Sequence, residues 1–207
     1  MRQNISWITG NTIINRSRFI LNETAPAFWD DTELLQWTND AIKDLCNRTL
    51  CYQAIETITL TADTVEYAPT NDYIRIVSVR YIDADSKEWG LKPSTPGMMG
   101  SVPLGVLGGS IPRYWYEFAG KVGVFPALTS VSTEQIKIYE AKQPATIEAS
   151  DAIPTTTIFD TAIVNYVVGI ALIKDRKNDF AKGFLASYEA TADRFRADFI
   201  EQPQAES

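Results

Sequence analysis

The chain has 207 residues, 45% of them hydrophobic and 22% charged, which is enough for one sizeable core or a core with a satellite and excludes wholesale disorder. Against 26 Asp and Glu stand 19 scattered Lys and Arg, a formal net charge of −7, which argues against a tight grip on nucleic-acid phosphates. There is no histidine, and with it go the commonest general base and every Ser-His or Cys-His nucleophile.

In chain order, apolar spacing predicts a first helix over Thr12 to Leu21, with Ile13, Ile14, Ile20 and Leu21 on one side and Arg16 and Arg18 on the other. Pro26 lies in the loop that ends it. Asp30 and Glu33 form a capping-box pattern, with Trp29 and Leu34 as the matching hydrophobic staple. A wide apolar stripe through Leu34, Trp37, Ala41, Ile42 and Leu45 then marks a second helix. From Ala54 the period becomes two. Strands are predicted around Ile58 and Leu60, over Thr64 to Tyr67, and over Tyr73 to Ile82, where Val77, Val79 and Tyr81 share a face.

Leu91 to Pro112 reads as a long Gly/Pro loop with interleaved apolar residues, too apolar for a solvated linker and expected to order against a partner. Arg113 to Phe118 and Lys121 to Phe125 form a predicted hairpin around Ala119-Gly120, and Glu134 to Ala141 is a further strand. A third helix is predicted with Thr157 as its cap and Asp160 at the third position. It is apolar all round and hence buried, with Gly169 allowing a close helix contact. After a turn over Asp175 to Asn178, a fourth helix repeats Phe180, Phe184, Tyr188, Ala192, Phe195 and Phe199 at helical spacing. The expected architecture is α+β: an antiparallel helical bundle of N- and C-terminal helices (1–53 and 153–200) around a β-rich insertion (54–152), with a flexible tail over 201–207.

A search for chemistry returns little. The start of the chain lacks a secretory pattern, and Ala162 to Ile173 is too short for a bilayer of ~30 Å, so no membrane association is expected. Cys46 and Cys51 read as buried thiols, with a disulfide possible across a very short loop; no cofactor or metal set is present in the pattern. Sequons at Asn4, Asn15, Asn22 and Asn47 read as chance. Among paired carboxylates, Asp30-Asp31, Asp72 and Asp83/Asp85 are better explained as a cap, a turn and a solvated loop, so no enzyme is expected. Interface contacts are expected instead from Met98, Met99, Leu104 and Leu107 in the long loop, and from Tyr114 and Tyr116 flanking Trp115 on a strand. Self-packing of the loop is the alternative for the first four.

Several segments resemble the head-to-tail connector, or adaptor, proteins of tailed bacteriophages, including the tail tubular protein A group. They are Ile13 to Asn22; the block Phe28-Trp29-Asp30-Asp31-x-Glu33-Leu34-Leu35-x-Trp37-x-Asn39-Asp40-Ala41; Tyr67-x-Pro69-x-x-Asp72-Tyr73 through Val79; Ile153-Pro154; and the helical hairpin Ala162 to Phe199. The resemblance implies a virion protein of the neck, made in the host cytoplasm. It would form a homo-oligomeric ring, typically a dodecamer, under the portal protein and carry the tail or nozzle proteins. DNA would pass through the ring without specific binding, in keeping with the acidic charge. It also implies that the C-terminal segment, here Phe199 and Gln202, turns towards the portal. Another neck or tail-completion protein, a carbohydrate- or receptor-binding tail module, and a hydrolase are the competing readings.

Overall fold

The computed structural model describes residues 8–23, 25–99 and 111–200, with the side chains at 98–99 and 197–200 outside that set. The fold is α+β, and the chain divides into two units. One comprises Met1–Tyr52 with Gln143–Ser207, the other Gln53–Lys142.

In the discontinuous unit, α1 (Gly10–Ile20) begins two residues before its predicted start. Thr9 precedes it, and the Thr9 amide donates to the Thr12 hydroxyl at 3.4 Å. The second helix, α2 (Asp31–Thr49), starts as its sequence pattern requires. The Asp30 carboxylate accepts from the Thr32 amide, and Glu33 reaches back to the Asp30 amide. Leu50 ends it in the left-handed region at φ 53°, its amide returning to the Cys46 carbonyl.

Residues 143–152 belong with these helices rather than with the insertion, which moves the boundary anticipated near 152 back to 142. The reason is Asn39, whose amide side chain imitates a strand partner. Its oxygen accepts from the Ile147 amide at 2.8 Å, and its nitrogen donates to the Ile147 carbonyl at 3.1 Å. Gly10 and Asn11 add backbone bonds to Asp151 and Ala149.

Thr157, expected as the cap, falls inside the helical entry instead of before it. A 3-10 turn occupies Thr157–Phe159, so Asp160 is the first residue of α4 (Asp160–Lys174) rather than its third. With its preceding turn, α4 spans Thr157–Lys174, by length and composition enough to cross a membrane and longer than the stretch read from sequence. Half of it is buried within the protein, where α1, α2 and α5 (Asn178–Ile200) all pack on it. At Gly169 α5 comes close, since a Cβ there would lie 2.7 Å from Leu185.

The insertion folds as two four-stranded sheets among the described residues. In the first, β8 (Gln135–Lys142) lies between β1 (Gln53–Thr59) and β3 (Tyr73–Ile82), with β4 (Glu88–Gly90) beyond β3. In the second, β7 (Lys121–Phe125) lies between β2 (Glu66–Tyr67) and β6 (Tyr114–Phe118), and β5 (Lys92–Pro93) runs parallel to β6. The β6–β7 turn is as expected: Ala119 at φ 50° and Gly120 at φ 73° give the paired left-handed geometry of a tight hairpin. One core joins the sheets, built from Tyr67, Val79, Tyr81, Trp115, Val124, Ile136 and Ile138 with their neighbours.

Val77 does not share the inner face with Val79 and Tyr81. The β3–β8 register slips between Ile76 and Ser78, so Val77 is the extra residue of a bulge and faces solvent while Ile76 is buried.

Candidate functional site

The C-terminus of α1, the start of α2 and the C-terminal end of α4 meet at one end of the helical unit. Arg18 is the fastener. The sequence placed it on the polar side of α1, yet only 4% of it is exposed. Its guanidinium donates to the Trp29 carbonyl at 2.7 Å, to Asp31 at 2.6 and 2.9 Å, and to Glu23 at 2.8 Å. Burial raises the Glu23 carboxyl, but amide donors from Phe28, Trp29 and Ala27 together with Arg18 outweigh it, so the group titrates below its ordinary value. The Trp29 indole N–H then donates to the Ala171 carbonyl of α4 at 3.1 Å. Lys174 reaches Glu33 at 2.6 Å and lies 5.3 Å from the centre of the Phe28 ring.

This polar frame leaves apolar side chains outside. Phe19 is 84% exposed, Phe180 on the first turn of α5 is 72% exposed, and Ile20, Phe28 and Ile173 are about half exposed at the same end. Periodicity had assigned Ile20 and Phe180 to inward faces. Ile20 is the last residue of α1 and Phe180 lies in the first turn of α5, and both are exposed. A cluster of this kind marks a contact surface more often than a solvent-facing one.

At the other margin of the unit, Arg48 links α2 to Glu189 and Asp193 of α5, and the Tyr188 hydroxyl donates to Asp44. These contacts hold the helices together.

The expected contact residues are distributed as follows. Tyr114 is 39% exposed on β6. Tyr116 has the same strand parity but is buried at 8% exposure, because its ring lies over Gly123 on β7 and its hydroxyl donates to Glu66. Trp115 is buried in the core on the opposite face. Met98 and Met99 close a short helix, α3 (Pro96–Met99), that the sequence had read as loop, and their side chains lie outside the described residues. Leu104, Leu107 and Gln202 lie outside the described residues altogether, as does the side chain of Phe199.

The carboxylates have structural duties. Asp30 caps α2, and Asp83 accepts the Asp85 and Lys87 amides and the Trp89 indole in one turn. Lys137 and Arg80 both pair with Glu88 on the first sheet.

Among the described residues, the end of the helical unit fastened by Arg18 leaves large apolar side chains exposed, the pattern of a contact surface. The family model described as SU10 adaptor protein matches residues 8–206. The chain belongs to that family, and so is an adaptor-type structural component of a phage virion that interacts with other head or tail proteins. No curated protein matches it.

Proposed function

We propose that this adaptor forms a ring, a dodecamer, beneath the portal protein in the phage neck, as the tail tubular protein A-like connectors do. The ring extends the DNA channel and presents an attachment platform for tail or nozzle proteins. Membership of the adaptor family over nearly the full chain carries this reading. The apolar end of the helical unit, with Phe19, Phe28, Ile173 and Phe180 uncovered, fits a subunit that completes its burial only in an assembly. A net charge of −7 suits a passage that must release its DNA.

In this reading the terminal helices form a bundle as the rigid body of each subunit. Met98, Met99, Leu104, Leu107 and Tyr114 meet neighbouring subunits or tail proteins, and Phe199 and Gln202 turn towards the portal. Assembly takes place in the host cytoplasm, and the protein does its work by binding rather than by catalysis.

Electron microscopy of virions carrying a tagged copy of the chain tests the location. The tag should appear as a ring between head and tail. Label on the tail fibres or inside the head would refute the proposal.

A further inference from the structure

The two cysteines stand at the C-terminal end of α2, both buried, with their sulfur atoms 3.9 Å apart. Sequence alone left a bond between them open across a very short loop. The backbone supplies what that loop needs. Leu50 in the left-handed region folds the chain back on the helix end and brings Cys51 over Cys46, four residues inside α2. A disulfide requires ~2.05 Å between sulfurs, so the pair is separated by roughly the reach of a side-chain rotation.

We propose that Cys46 and Cys51 are an oxidation site, at which hydrogen peroxide converts the dithiol into an intrachain disulfide that locks the last turn of α2. The two positions have different parts. Cys51 is the attacking sulfur: its hydrogen bond with the Cys46 thiol favours its thiolate, more than offsetting burial, so it ionises below the ordinary thiol value. Cys46 is held protonated by the same hydrogen bond and by burial, and acts as the resolving thiol. The Cys51 thiolate attacks one peroxide oxygen and expels hydroxide, which takes up the proton Cys51 released and leaves as water. The sulfur of Cys46 then displaces water from the Cys51 sulfenic acid, its own proton leaving with the departing oxygen. Two thiols and one peroxide give one disulfide and two waters. Peroxide is small enough for a site that bulkier oxidants reach poorly.

Trypsin makes the outcome legible, because Arg48 lies between the two positions. Cleavage after Lys43, Arg48 and Arg75 puts Cys46 in peptide 44–48 and Cys51 in peptide 49–75. Folded full-length protein treated with peroxide and digested without reductant should yield the two peptides joined, with the mass of two hydrogens lost per chain and restored by dithiothreitol. In Cys46→Ser the same treatment should leave Cys51 as a sulfenic acid that dimedone traps. Over-oxidation of Cys51 beside an unmodified Cys46 in the native chain, or joined peptides only after denaturation, would overturn the proposal.

Discussion

Replacing Arg18 by alanine strips the Trp29 carbonyl and the inward-turned Glu23 carboxylate of their guanidinium. Breaking such a buried pair costs about 3 kcal/mol, to be read as a lower urea midpoint at unchanged slope. Arg18→Lys should recover only part of it, because an ammonium cannot serve three acceptors with one planar fork. Glu140 offers a second test at this scale. It is buried on β8, neither carboxylate oxygen has a hydrogen-bond partner among the described residues, and the Asn71 amide beside it is bonded to Glu56. Burial first, then the Glu56 charge, raises its carboxyl above the ordinary value, with Asn71 and Lys142 opposing. The folded chain therefore holds the proton more tightly than the unfolded chain. The stability this contributes is present below the unfolded pKa and is lost as pH rises through the raised folded pKa. Glu140→Gln should flatten that stretch of the stability–pH curve and raise stability at neutral pH by on the order of 1 kcal/mol. A stability curve unchanged by the substitution would count against a raised Glu140 carboxyl. Neither residue announced itself in the sequence. The partners of Arg18 come from the next loop and helix, and the setting of Glu140 is made by three strands distant in the chain.

At the scale of elements, the signals that were legible were the local ones. The Asp30–Glu33 box and the Ala119-Gly120 turn each depend on four or fewer consecutive residues, and both stand where the pattern put them. Signals that depend on a partner misled. Val77 alternates correctly with Val79, but a bulge set by pairing with β8 turns it out. Thr157 and Asp160 have box spacing, yet the chain enters α4 through a 3-10 turn, which moves the helix start two residues on. The β6–β7 hairpin gives this scale its prediction. A Cβ at Gly123 would lie 2.1 Å from the Tyr116 ring, so Gly123→Ala must displace a buried aromatic side chain. Overpacking of this kind costs about 1–3 kcal/mol. Loss of stability with a change in tyrosine fluorescence should follow, whereas Gly120→Ala, strained only by its positive φ and with open space around it, should leave the Tyr116 environment intact.

For the whole molecule, the sequence made the α+β class legible and gave the absence of histidine its weight, while the family match makes the chain an adaptor. What it did not reveal is which apolar residues stay outside. Ile20 and Phe180 continue helical stripes and look like core, yet both are exposed, and Phe19 beside Ile20 more so. Phe19→Asp and Phe180→Asp should change the stability of the isolated chain by no more than about 0.5 kcal/mol, as surface substitutions do, while weakening assembly with partner proteins. A large drop in stability from either would show that these rings belong to the fold rather than to an interface. The central claim, that this subunit acts by joining other chains, is tested most directly by mass. Mixed with rings of its phage's portal protein, the chain should leave the monomer peak and appear in a complex carrying a fixed multiple of copies per ring, twelve if the proposed symmetry holds. A chain that keeps its monomer mass at saturating portal would contradict the account.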